Sequence, residues 1–403
     1  MNIRFGKGIT MAYMCTPRSP AFRRNVVGFT LHDRKMVKEV VYIGLKGLPF
    51  SGGAEAVTEG IIRHLNPENY HATVYCDGRI VPKDVKIPNT TLIHTPSLPG
   101  KHLRATTHFL SSALHAFIKG RYDLIHLHNA EASFILPLLK LRYPRIISTS
   151  HGQAQAREKW GKIAKLLMAL MEIPFVRLSD VVTSVSEPLA TYYEERYGRR
   201  VLYIPNGIEE QLPIPPEDMR QVLKQHDLEP GYMMFAAGRV IPSKGAHTLL
   251  EAFARCDDLD ARLIIVGDTK QIAEYEKKLL GLADERVTFI PFVSDKVVMK
   301  SLLQGARVFV FPSTIEAMSM MLLQAASMGT PLIYSDIPEN LSVLKDIGPI
   351  FKVGDVGDLS EKLRFAWNNP AEMRSRAEAA QNQVKTAHSW ENIVRQYESL
   401  SAV

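Results

Sequence analysis

From Glu39 onward the chain alternates short β-branched runs with stretches whose apolar residues recur at helical spacing. No other feature of the sequence restricts the fold so strongly. VVYIGL is a strand-like run that meets glycine, LPFSGGAE follows as a loop, and AVTEGIIRHL reads as a helix. Strand, glycine loop and helix form the opening unit of a parallel α/β sheet. The theme recurs in HATVYC, TTLIHT, SSALHAFIKG, DLIHLH, SFILPLLKL and RIISTSHG, and continues through VVTSVS and VLYIPNG. A polar stretch with prolines, EEQLPIPPEDMRQ, then has the composition of a linker. A second alternating series runs from YMMFAAG through HTLLEAFARC, RLIIVGD, VTFIPF, VVMKSLLQGA and VFVFPS to PLIYSD.

The expected fold class is therefore α/β, with two doubly wound, Rossmann-like sheets over 39–207 and 208–387. They join near Asn206–Pro216. In HSWENIVRQYESL, Trp390, Ile393, Val394 and Tyr397 share one helical face, so a helix over 388–403 is expected to pack back onto the first half. Ligands of such sheets sit outside the carboxyl ends of the strands. With two sheets facing each other, the cleft between them is the expected site.

With 403 residues, the chain has room for two domains with real cores. No run of eighteen apolar residues occurs, so no membrane span is expected. Cys15, Cys76 and Cys256 are far apart and lack metal-ligand spacing, which suits a reduced, cytoplasmic setting. The charge is unevenly placed: +7 over residues 1–38, +6 over 39–207 and −6 over 208–403. Residues 1–38 lack a signal-peptide core and read as a flexible basic leader, or as sequence upstream of a true start at Met36. The basic front half suits an anionic membrane surface or an acidic acceptor, and equally a merely solvated surface. AREKWGKIAKLLMALMEIPFVRL is basic and amphipathic, and fits either a helix lying on a membrane or one covering the sheet. No nucleic-acid partner is expected.

Four features end strands on the cleft side. Gly52 and Gly53 let backbone approach a ligand at a helix start, although such pairs also simply make turns. In AAGRVIPSKGAHTLL, Arg239 and Lys244 offer a guanidinium fork and an ammonium five residues apart, which suit a diphosphate if they are not surface solvation. His128 and His151 end buried-looking strands, as catalysts or as hydrogen-bonded structural residues. Finally, STIEAMSMMLLQAASMG places Glu316 just ahead of a helix opened by Ser319 and closed by Gly329. A phosphate would repel Glu316, so it is expected to read neutral hydroxyls beside one, with Gln324 reaching a second set from within the helix. The alternative is that Glu316 merely favours the helix dipole.

Taken in order, GLKGLPFSGGAE, the HLH and SHG strand ends, IPNGI, GRVIPSKG, VGD and EAMSMMLLQAASMGTP resemble the GT-B glycosyltransferases of the large retaining group that includes family GT4. The resemblance covers the chain from about Val40 to its end. It implies that Arg239 and Lys244 hold the donor diphosphate, and that Gly53, with Gly52, approaches it. Glu316 matches the first glutamate of the E-x7-E motif and contacts donor-sugar hydroxyls. Gln324 stands where the second glutamate usually binds the ribose diol. His128 lies near the transferred sugar, Phe292 near the base, and Ser319 and Met320 at the donor. Glu55 and His151 fall on the acceptor side, the hinge at IPNG, and the Trp390 helix crosses back.

The implied reaction moves a sugar from a nucleoside-diphosphate sugar to an acceptor hydroxyl with retention of configuration. It implies no metal and no further cofactor, in envelope polysaccharide or glycolipid synthesis at the inner face of the membrane. The one D-x-D, Asp258–Leu259–Asp260, lies before a strand rather than after it and is expected to be a turn. A non-catalytic partner subunit of the same fold, or a nucleotide-sugar epimerase, are the alternatives.

Overall fold

Each β-branched run becomes a buried strand, and each glycine-rich segment after it a loop at the carboxyl end. The computed structural model describes residues 37–49, 52–100, 103–152, 162–318 and 320–402. The first sheet holds β1 (Lys38–Ile43), β2 (Tyr70–Asp77), β3 (Thr90–Thr95), β4 (Leu124–His128), β5 (Ile146–Ser150), β6 (Val181–Ser184) and β7 (Leu202–Tyr203). The second holds β8 (Tyr232–Arg239), β9 (Leu263–Asp268), β10 (Val287–Ile290), β11 (Ala306–Phe311), β12 (Leu332–Ser335) and β13 (Ile350–Phe351). Strand orders are 3-2-1-4-5-6-7 and 10-9-8-11-12-13, and every described pairing is parallel.

The first-lobe helices are α1 (Gly53–His64), α2 (Leu103–Lys119), α3 (Leu136–Lys140), α4 (Lys162–Leu178) and α5 (Glu187–Tyr197). The second lobe carries α6 (Pro216–Lys224), α7 (Ala246–Ala254), α8 (Ala273–Leu282), α9 (Lys296–Gly305), α10 (Met320–Ser327), α11 (Pro338–Leu344), α12 (Val356–Asn368) and α13 (Pro370–Ala387). α14 (Trp390–Ala402) ends the chain. Both faces of each sheet are covered. Along β8, Met233 and Phe235 enter one core while Tyr232 and Met234 enter the other. In the first lobe, α2, α3, α4 and α5 share one core, and α1 and α14 share the opposite one.

The leader lies outside the described residues apart from its last two, and β1 already begins at Lys38. The expected linker is shorter than its composition suggested. Pro216 stands in the first turn of α6 with Glu217 and Asp218 beside it, a helix start favoured by proline's fixed φ and by the dipole. The expected helix in SFILPLLKL is in part a 3-10 turn, Ala130–Ile135, running into the five-residue α3.

α14 returns to the first lobe through a fitted contact. The Ile208 N–H donates to the His388 carbonyl at 2.8 Å, and His388 Nδ1 lies 3.0 Å from the Asn206 carbonyl oxygen. Trp390 is then wedged between α1 and the lobe crossing. A Cβ on Gly60 would stand 2.1 Å from its ring, and one on Gly207 2.3 Å. Only glycine leaves room at either place.

Candidate active site

Both sheets have a switch point where neighbouring strands send their helices to opposite faces. In the first it lies between β1, which leads to α1, and β4, which leads to α3. In the second it lies between β8, leading to α7, and β11, leading to α10. The loops diverge there and leave a crevice. The sequence-predicted residues follow these four strands.

In the second lobe, β8 runs out into exposed Gly238 and Arg239. A turn, Pro242–Lys244, follows and ends at Gly245, whose φ of +71° is a left-handed conformation suited to glycine. A Cβ there would lie 2.0 Å from the Pro312 carbonyl oxygen, so the loop after β8 meets the loop after β11 backbone to backbone. Thr314 ties them further, its N–H donating to the Ser243 carbonyl at 2.9 Å. This junction puts Lys244 Nζ into an ion pair with Glu316 Oε1, with only 8% of the Glu316 side chain exposed. Arg239 has no ion-pair partner among the described residues. The Phe292 ring is 51% exposed and comes 3.8 Å from where a Gly238 Cβ would stand, an open flat surface beside Arg239. Gln324 is half-buried on α10, and its amide makes no hydrogen bond among the described residues. Gly329 closes α10 with φ +69°, as expected. Ser319 lies outside the described residues.

A third loop buttresses the second. The Ser335 hydroxyl, at the end of β12, donates to the Ser313 carbonyl at 2.6 Å, and Asn340 Nδ2 donates to the Ser335 carbonyl at 3.1 Å. Beside it, burial and then the Glu316 carboxylate raise the pKa of Glu339 in the first turn of α11.

In the first lobe, His128 Nδ1 lies 2.8 Å from His151 Nε2, so one imidazole donates to the other. His126 stacks on His128 at 4.3 Å between ring centres, and Tyr397 of α14 packs on His126 at 5.2 Å. His126 Nε2 is 2.7 Å from the Thr149 hydroxyl. The Thr58 hydroxyl donates to the Ala54 carbonyl and sits 3.4 and 3.5 Å from the two nitrogens of His128, so it selects neither tautomer. Burial first, and then the neighbouring imidazoles, drives His128 well below the ordinary histidine range. Burial, with the charge of His151 second, pushes His126 down to about 3. His151 is half-buried at the cleft, and burial pushes it to about 3 as well. All three imidazoles are neutral at neutral pH.

Gly52 is the N-cap of α1 with no side-chain cap, and a Cβ on Gly53 would meet nothing within 4 Å. The start of α1 is thus open. Glu55 is 7% exposed, and its Oε1 accepts from the Lys46 N–H at 3.1 Å, so the expected acceptor contact also clamps the loop after β1.

The lobes meet at the Glu316 loop. A Cβ on Gly152 would stand 3.4 Å from Ala317 Cβ, which brings the His151 strand end against this loop. The Asn206 N–H, at the lobe crossing, lies 3.2 Å from Met318 Sδ. Met320 packs on the cores of both lobes, so its side chain joins the lobes rather than lining open space. Asp258 pairs with Arg364 ahead of β9, away from the cleft, the turn that D-x-D was expected to be. His126, Thr58 and Glu339 were not singled out from sequence, and Tyr397 only as part of the packing face of the return helix. His126 and Glu339 do lie within the strand-end segments LIHLH and YSDIPEN, which was the signal available.

Two parallel-sheet lobes with facing switch points, cations and a carboxylate on one wall and neutral imidazoles on the other, define a two-lobed α/β protein built to hold a ligand between its lobes. Comparison with known proteins gives the family. Residues 51–212 match the model described as Glycosyltransferase Family 4, and residues 218–384 match Glycosyl transferases group 1. The chain is 28% identical over 238 residues to the D-inositol 3-phosphate glycosyltransferase of Pseudarthrobacter chlorophenolicus, across 53% of this chain and 54% of that protein, about half its length. It is 25% identical over 310 residues to the phosphatidyl-myo-inositol mannosyltransferase of Mycobacterium leprae, across 72% of this chain and 78% of that protein. Among solved structures, the Anabaena protein Alr3699/HepE in complex with UDP and glucose matches with a TM-score of 0.75 at 20% identity, across 91% of this chain and all of that one. The chain belongs to the GT-B glycosyltransferases of the family 4 kind.

Proposed function

We propose that this chain transfers a sugar from a nucleoside-diphosphate sugar to an acceptor hydroxyl. The observation that carries this reading is the Lys244–Glu316 ion pair at the second switch point, with exposed Arg239 at the end of β8 in the same loop and the His128–His151 pair in the other lobe. A diphosphate offers Lys244 a stronger anion than one carboxylate, and Arg239, without an ion-pair partner among the described residues, has a fork to offer it. Once Lys244 turns to phosphate, Glu316 can accept from sugar hydroxyls. As the sugar–phosphate bond breaks, the same two cations stabilise the charge on the departing diphosphate. Phe292 offers a surface for the base and Gln324 an amide for the ribose.

The carboxylate of Glu316 pairs with Lys244, and the strand end that its loop meets in the other lobe carries the His151 imidazole. A glycosidase-like carboxylate pair is therefore not the design this reading uses. Instead the leaving phosphate oxygen takes the acceptor proton on the face it leaves, and the anomeric configuration is retained. No metal enters this scheme. The named relatives, an inositol phosphate glycosyltransferase and a phosphatidylinositol mannosyltransferase, support an acceptor of the polyol or glycolipid class; this reading places the reaction in envelope synthesis at the inner face of the membrane.

The test is a panel of nucleotide sugars scored by thermal shift, followed by release of free nucleoside diphosphate with and without acceptor. One donor is expected to raise the melting temperature, and release is expected only with acceptor. Lys244→Met is expected to lower kcat/KM about 100-fold, the scale of removing one electrostatic donor. Release without acceptor would favour the epimerase or a hydrolase. Donor binding without turnover would favour the non-catalytic partner, which the glutamine at 324 keeps in play.

A further inference from the structure

Four described residues other than glycine have a positive φ. Asn89 leads into β3, Asp227 trails α6 and Lys345 ends α11; Asn129 alone directly follows a strand, β4, at its cleft end. Its φ is +69° and its ψ +139°. Asparagine is at home in the left-handed helical well, where ψ lies near about +47°, but a ψ this far beyond it approaches a region kept by glycine. Asn129 is therefore strained, and the strain sits one residue after His128.

The surrounding backbone imposes this conformation. The Asn129 N–H donates to the Thr149 carbonyl at 2.9 Å, which prolongs the pairing of β4 with β5, and the Asn129 carbonyl accepts from the Ala132 N–H at 3.3 Å. Just before it, the His128 carbonyl is pressed onto the loop after β1: a Cβ on Gly44 would stand 2.2 Å from that oxygen. Glycine would adopt the same path at position 129 freely, yet the chain keeps a carboxamide there. That side chain does no structural duty among the described residues. It starts the 3-10 turn Ala130–Ile135 without capping it, and its amide makes no hydrogen bond there. A polar side chain retained at a conformational cost, with no partner inside the described fold, has its use outside the fold.

Its neighbours indicate which ligand. His128 is fully buried and its Nδ1 is taken by His151, so the half-exposed residue that ends β4 is Asn129. On the adjoining strand end stands His151, half-buried and neutral, and the next residue, Gly152, meets the Glu316 loop of the other lobe. A carboxamide offers two donors and an acceptor without charge. Beside a neutral imidazole, that equipment suits a hydroxyl rather than a phosphate. We propose that Asn129 is a substrate-reading residue of the first lobe, its carboxamide hydrogen-bonding hydroxyls of a polyol acceptor held in the cleft. This inference rests on the transferase reading and adds to it a residue that selects the acceptor.

The experiment compares the full chain with Asn129→Gly and Asn129→Ala. Uridine, guanosine and adenosine diphosphates are scored first by thermal shift. Glucose, mannose and myo-inositol are then titrated by saturation-transfer NMR in the presence of the diphosphate that binds. Both variants are expected to keep the nucleoside-diphosphate Kd within about twofold and to bind the polyol about tenfold more weakly, the scale of two neutral hydrogen bonds. Urea unfolding is expected to rank them differently, with Asn129→Gly at least as stable as the parent and Asn129→Ala less stable. A residue with a purely structural role would lose binding only as it lost stability. Polyol binding that survives in both variants, a parent that binds none of the three polyols, or an Asn129→Gly chain that loses stability along with binding would each overturn the proposal. A parent that binds no nucleoside diphosphate would instead bring down the transferase reading, and this inference with it.

Discussion

Position 324 carries a glutamine amide where a glutamate would place a carboxylate, and in the transferase reading that one head-group atom decides how the ribose is held. A charge-assisted hydrogen bond contributes about 1.5–3 kcal/mol and a neutral one about 1. The Gln324 amide is half-buried and makes no hydrogen bond among the described residues, so in that reading it is available to a diol. Gln324→Glu is expected to lower the donor KM roughly fivefold with kcat little changed, read by initial rates over a donor series. A KM that stays put or rises would remove Gln324 from the donor site. At this scale the sequence was informative for Arg239, Lys244, Glu316, His128 and His151, because each stands at a recognisable strand end. It was silent on their pairings. Lys244 and Glu316 are 72 residues apart, and only the adjacency of β8 and β11 brings them together.

Two glycines of α1 show how one residue type serves opposite ends of an element. Gly53, at the helix start, faces open space, and Gly60 faces the Trp390 ring at a distance no Cβ tolerates. Gly60→Ala is expected to cost about 1–3 kcal/mol by overpacking the seat of α14, visible in urea unfolding. Gly53→Ala is expected to leave stability within about 0.5 kcal/mol, as an unstrained change at a helix start, while raising the donor KM if backbone must approach the diphosphate there. Equal unfolding midpoints for both variants would show that the Trp390 contact does not hold α14. The return helix itself could be read from the spacing of Trp390, Ile393, Val394 and Tyr397. Its target could not, because the pocket is made by Gly60 and Gly207, from separate segments.

For the whole molecule, the imidazole stack couples the site to stability. His126 and His128 are held neutral by burial far below 6.5, whereas in the unfolded chain they protonate near that value. Below about pH 6.5 the unfolded state therefore binds more protons, and stability falls with pH by about 1.4 kcal/mol per unit for each buried histidine. Above that value this contribution is complete and flat. Denaturant unfolding at pH 7 and pH 5 measures the slope, which His126→Gln is expected to reduce by one proton; equal stability at the two pH values would show that the stack is not buried as described. The alternation of strand, glycine loop and helix is a local property, with periods of two and 3.6 residues, so the sequence alone determined a doubled α/β architecture with its ligand loops at the strand ends. Strand order, the ion pair across neighbouring loops and the stacking of His126 under His128 are products of packing between residues far apart in the chain. Those contacts exist only once the sheets have formed, so only the tertiary structure decided them.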